Sequence, residues 1–95
     1  MSKKSIRVSE ILENQNQLLE SLYDKVKSFA LYNEILCTIM TINAQYGEDK
    51  MSYIVEYCGV DEDGTESVAM MISGAIITFG SISVDKEGNI KSEGL

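Results

Sequence analysis

All seven glycines of this chain lie at or after position 47 and there is no proline, so the first 46 residues contain neither of the two strongest helix breakers. That asymmetry divides the sequence into a helical part and a turn-rich part. The fold class it predicts is α+β: an N-terminal amphipathic helical segment, as one long helix or two shorter ones, packed on a small antiparallel four-stranded meander.

Within 9–46, the positions Leu12, Gln15, Leu19, Leu22, Val26, Phe29, Asn33, Leu36, Met40 and Asn43 recur at alternating steps of three and four, and seven of these ten are apolar. This is a heptad seam of the coiled-coil type. Ser9 suits an N-cap, Glu10 and Glu13 suit the first turn, and Gly47 suits the stop. Unbroken, the helix is roughly 57 Å long, which exceeds the width of a small globule. It therefore needs a partner chain or a break, and a kink near 28–33 converts the rod into two packed helices. Self-association is expected through Leu12, Leu19, Leu22, Val26, Phe29, Asn33, Leu36 and Met40, with polar Asn33 fixing register. Residues 35–42 include five β-branched side chains, which leaves a strand as the alternative there; Gly47 favours helix.

Beyond Gly47, strands are expected near 51–59, 65–73, 75–84 and 89–92. Val60-Asp61-Glu62-Asp63-Gly64-Thr65 matches Val84-Asp85-Lys86-Glu87-Gly88-Asn89 position for position, so both read as hairpin turns with a left-handed glycine. Apolar parity switches from Ala75, Ile77 and Phe79 to Ile82 and Val84, which predicts a bulge at Gly80. The uncharged run 67–84 just reaches membrane-span length. Its serines, acidic flanks and missing aromatic or basic anchors favour two core strands instead.

Residues 1–95 are expected to form one domain with a basic tip over 1–8 (Lys3, Lys4, Arg7), the helical segment over 9–46 and the sheet over 47–95. The chain has no histidine, so Ser-His-Asp and Cys-His couples are excluded and no imidazole can bind metal. Asp61, Asp63 and Glu66 lack calcium-loop spacing, and no phosphate loop or paired-cysteine zinc motif occurs. No catalytic residue, metal or cofactor is assigned. Cys37 and Cys58 read as reduced, buried thiols of a cytoplasmic protein, although spacing alone does not exclude their pairing. Of the enzymatic options, the best nucleophile is Cys58, and no motif supplies a base to activate it.

Net charge is −7, and residues 47–95 hold ten of the fifteen acids. Such a surface repels nucleic acid and attracts a basic protein patch. The expected function is a non-enzymatic, homo-oligomeric interaction module, an inhibitor or adaptor that occupies a basic site on a partner, such as the nucleic-acid-binding site of a host nuclease blocked by a phage or mobile-element protein. The expected contact residues are Asp61, Glu62, Asp63 and Glu66 at a hairpin tip, with Tyr53, Glu56 and Tyr57 beside them. The alternative is an oligomeric small-ligand binder whose intersubunit pocket uses Tyr53 and Tyr57, with Lys25, Lys27 and Lys50 converging on an anion.

Overall fold

The computed structural model describes residues 15–95. Helices α1 (Gln15–Lys25) and α2 (Phe29–Tyr46) are followed by a single 3-10 turn (Glu48–Lys50) and strands β1 (Met51–Val60), β2 (Glu66–Gly74), β3 (Thr78–Val84) and β4 (Ile90–Glu93). The strands form one antiparallel sheet in the order β1-β2-β3-β4, with both helices on one face. The fold is therefore α+β, and the helical segment takes its two-helix form.

The break between the helices comes earlier than 28–33, at 26–28, and contains neither glycine nor proline. Ser28 is the N-cap of α2: its backbone is extended (φ −92, ψ 122) and its hydroxyl accepts the Leu31 N–H at 3.3 Å. Re-phasing across this turn changes which residues face inward. Among the described side chains the buried residues of α1 are Leu18 and Leu22, and those of α2 are Leu31, Ile35 and Ile39. The seam thus does not run continuously from one helix into the other. Its members Leu19, Leu22 and Val26 pack in or against the chain's own core, whereas Phe29, Asn33 and Met40 are exposed and Leu36 is half-buried. Leu12, the Ser9 cap and the basic tip lie outside the described residues. Residues 35–42 are helical, and α2 ends where Gly47, at φ +102, donates its N–H to the Asn43 carbonyl at 2.8 Å.

Alternation along the strands sends Met51, Tyr53, Val55, Val68, Met70, Ile72, Ile82 and Val84 toward the helices and completes the core. The opposite face carries Ile54, Met71 and Phe79 in one cross-strand row, flanked by serines. The bulge expected at Gly80 is absent, because the β2–β3 register is uninterrupted from Glu66↔Val84 to Ile72↔Thr78. Ala75 and Ile77 belong to the preceding turn rather than to β3, and Phe79 lies on the uncovered face, 67% exposed. The parity change is therefore a change of environment, not an inserted residue. Gly80 instead makes room for a close approach: a Cβ there meets the Glu93 carbonyl oxygen at 2.2 Å. The register shift that does occur lies between Tyr57 and Gly59 on β1, where Gly59 takes φ +85.

Candidate interaction surface at the hairpin end

In a four-stranded meander the β1–β2 and β3–β4 turns emerge at the same end of the sheet, so the two matching segments become neighbours. Their backbones repeat one another. Asp61 N–H donates to the Thr65 carbonyl (2.9 Å) and Gly64 N–H to the Asp61 carbonyl (3.0 Å); the equivalents are Asp85 to Asn89 (3.1 Å) and Gly88 to Asp85 (2.9 Å). Each aspartate also accepts two backbone N–H groups through Oδ1, from Asp63 and Thr65 in one turn and from Glu87 and Asn89 in the other. Gly64 at φ +84 and Gly88 at φ +90 supply the left-handed residue. These bonds hold the Asp85 carboxyl below the usual carboxylate range, with the Asn89 N–H contributing most.

The turns are neighbours: Gly64, Lys86 and Gly88 line one cleft, and a Cβ added at Gly64 would lie 3.2 Å from the Lys86 Cβ. This end therefore carries Asp61, Glu62, Asp63, Asp85 and Glu87 together with Lys86, all exposed except half-buried Asp85. Asp85 and Glu87 were missed in the sequence reading. Their signal was present in the repeated turn motif combined with meander topology, which fixes the end at which both turns emerge.

Two of the expected contact residues, Glu66 and Tyr53, are buried, and the expected grouping of Glu56 with Tyr57 is split between the two faces of β1; these assignments are corrected. Glu66 begins β2 with its side chain on the helical side and is only 3% exposed. Its Oε2 accepts the Lys27 N–H (2.7 Å) and the Tyr57 hydroxyl (2.5 Å), and its Oε1 accepts the Ser28 N–H (2.8 Å). A buried carboxylate satisfied by three donors is a structural clamp on the interhelical turn. Tyr53 is 1% exposed and donates its hydroxyl to Asn43 Oδ1 at 2.7 Å, with the Ile39 carbonyl oxygen 3.3 Å away. Burial, and to a lesser degree the Glu48 charge, push its phenol up to about 12. Tyr57 is half-buried and likewise pushed up to about 12, by burial first and then by the hydrogen bond and charge of Glu66. Glu56 is exposed, and strand alternation places it on the sheet face opposite Tyr57.

A shallow cleft of about 320 Å³ lies between the turns and the interhelical segment, lined in part by Lys27, Val60, Glu66, Val84 and Lys86. Within one chain Lys25, Lys27 and Lys50 do not converge: Lys27 lines this cleft, and Lys50 follows the far end of α2. Cys37 and Cys58 are unpaired and exposed, not buried as expected. Among the described residues no three Cys, Asp or Glu side chains cluster to hold a metal ion. No helix among them is long and apolar enough to cross a membrane; the uncharged run 67–84 supplies β3 and all of β2 after Glu66. Comparison of the chain with protein-family models, with curated proteins and with solved structures finds no match.

Proposed function

We propose that this chain is a non-enzymatic protein-interaction module that presents its acidic hairpin end to a basic site on a partner protein, as an inhibitor or adaptor. The observation that carries the reading is the presence of Asp61, Glu62 and Asp63 with Asp85 and Glu87 at one end of the sheet, on two adjacent turns. The Oδ1 bonds of Asp61 and Asp85 fix both turn backbones before a partner arrives, which lowers the ordering cost of binding. Carboxylates on a projecting turn stay hydrated until a cationic surface meets them, so they act chiefly on the association rate. Two exposed, unpaired thiols fit a reducing compartment such as the cytoplasm.

The test is capture of partners on the immobilised chain, followed by association kinetics at low and high salt. Asp61→Asn, Glu62→Gln and Asp63→Asn together keep the Asp61 acceptor oxygen while removing three charges. The expected result is an unchanged circular dichroism spectrum with slowed association and a weaker salt dependence. A partner whose association is indifferent to both the triple change and salt overturns the reading.

A further inference from the structure

We propose that a second copy of this chain docks antiparallel on the outer face of α2, forming a two-fold dimer through Phe29, Asn33, Leu36, Cys37, Met40 and Ala44. The inner face of α2 holds Leu31, Ile35 and Ile39 against the core, and helical periodicity places Phe29, Asn33, Cys37, Met40 and Ala44 on the opposite side. Phe29 is 74% exposed and Met40 60%. A helix that covers a sheet from one side ordinarily carries charge on its far side. Here the only charged residue between Lys27 and Glu48 is Glu34, which lies on the flank, in a cleft shared with Ser92 and Leu95 and bordered by Cys37. The outward face of α2 has none. On α1 the Tyr23 ring is 66% exposed and stands edge-on to Tyr32 of α2 at 5.4 Å.

Charge selects the occupant. Copies of net charge −7 repel over most of their surfaces, and an acid-free stripe is where a second copy meets least opposition. The ends of the stripe are complementary when the partner runs antiparallel. Exposed Lys25 and Lys27, with Asp24 beside them, precede Phe29 and carry a net positive charge; exposed Glu48 and Asp49, with Lys50 beside them, follow Tyr46 and carry a net negative one. A two-fold axis near Leu36 and Cys37 sets the net positive end of each copy beside the net negative end of the other, with Lys25 opposite Glu48. The same operation sets Phe29 opposite Ala44 and Met40 opposite Asn33, large against small. A parallel arrangement sets like ends together and large beside large. The stripe from Phe29 to Ala44 shares no residue with the acidic turns, and of the flanking charges only Lys27 borders the cleft beside them, so the substitutions at Met40, Lys25 and Asp49 test the dimer separately from the partner-binding reading.

Sedimentation velocity of the full chain at micromolar concentration tests the proposal, with circular dichroism as the control for folding. The expected result is a dimer that Met40→Glu weakens by roughly a hundredfold or more, because two unpaired carboxylates are then buried at the interface. A short bis-maleimide joins two copies of the Cys58→Ser chain through Cys37, and does not join copies of the Cys37→Ser chain. Lys25→Glu weakens the dimer, and Asp49→Lys in the same chain restores it. A monomeric wild type, a dimer that survives Met40→Glu, cross-linking through Cys58, or no restoration in the charge exchange each overturns the proposal. A different protein captured on this face of a monomeric chain overturns it as well.

Discussion

Glu66 caps helix α2 from across the fold: its Oε1 accepts the backbone N–H of Ser28 at 2.8 Å, although the two residues are 38 positions apart. Ser28 caps the same helix locally through its own hydroxyl. One helix start is thus fixed twice, once by the sequence around it and once by the sheet it packs on. Glu66→Ala leaves three donors without their acceptor and is expected to cost about 2–4 kcal/mol, while Glu66→Gln, which keeps one carbonyl oxygen, costs about half as much. Urea unfolding, read as a shift of midpoint at constant slope, measures both.

The phenols of Tyr53 and Tyr57 carry a pH signature. Both are pushed up to about 12 from an ordinary 10.0, so the folded chain holds these protons more tightly than the unfolded chain does. The resulting stabilisation is complete below pH 10 and is lost as pH rises through about 12. Tyrosinate absorbance during alkaline titration of the folded protein should show a late component that shrinks in Tyr53→Phe and again in Tyr57→Phe. A titration whose late component is unchanged by either substitution contradicts the assignment.

Leu22 separates the two roles that a heptad seam can have. It is buried in the chain's own core, so Leu22→Ala is expected to cost about 2–5 kcal/mol and Leu22→Asp to unfold the chain rather than release a folded monomer. Thermal melts and sedimentation of the same samples distinguish these outcomes.

Gly74 and Gly88 both have positive φ, at +129 and +90, but only Gly74 is crowded: a Cβ there falls 2.0 Å from the Lys50 carbonyl oxygen. Nothing approaches within 4 Å of the equivalent atom on Gly88. Gly88→Ala should therefore cost only the conformational strain, about 1–2 kcal/mol, and Gly74→Ala distinctly more, because backbone must move to admit the methyl group. Comparing the two melting temperatures checks the order.

The helical part, the strand count and both glycine turns were legible because each rests on local chemistry: the glycine distribution, alternation, and the Asp-x-x-Gly repeat. The position of the helix break was not. Val26 and Phe29 continue a three-and-four spacing across it, and the carboxylate that holds the break open belongs to Glu66, far away in sequence. The same distance effect hid the burial of Glu66, since four acids in a run of six look alike until the first residue of β2 is turned toward the helices. Alternation puts Tyr53 and Tyr57 on one face of β1, but only the helical layer determines how deeply each is covered. Cys37 was read as buried from its apolar neighbours, and the re-phasing of α2 after Ser28 turns it outward.

The strand order also bears on how the chain reaches this structure. Every strand pair joins neighbours in sequence, so the sheet can zip one hairpin at a time with short loop closures, each turn nucleated by its own aspartate and glycine. The helices form from local contacts as well. Docking the two halves requires the long-range bonds from Lys27 and Ser28 to Glu66, and these are made only when helical layer and sheet meet in register. In refolding experiments the hairpin ladders should therefore gain amide protection before the N–H groups of Lys27 and Ser28 do, which makes those two amides reporters of the final latching step.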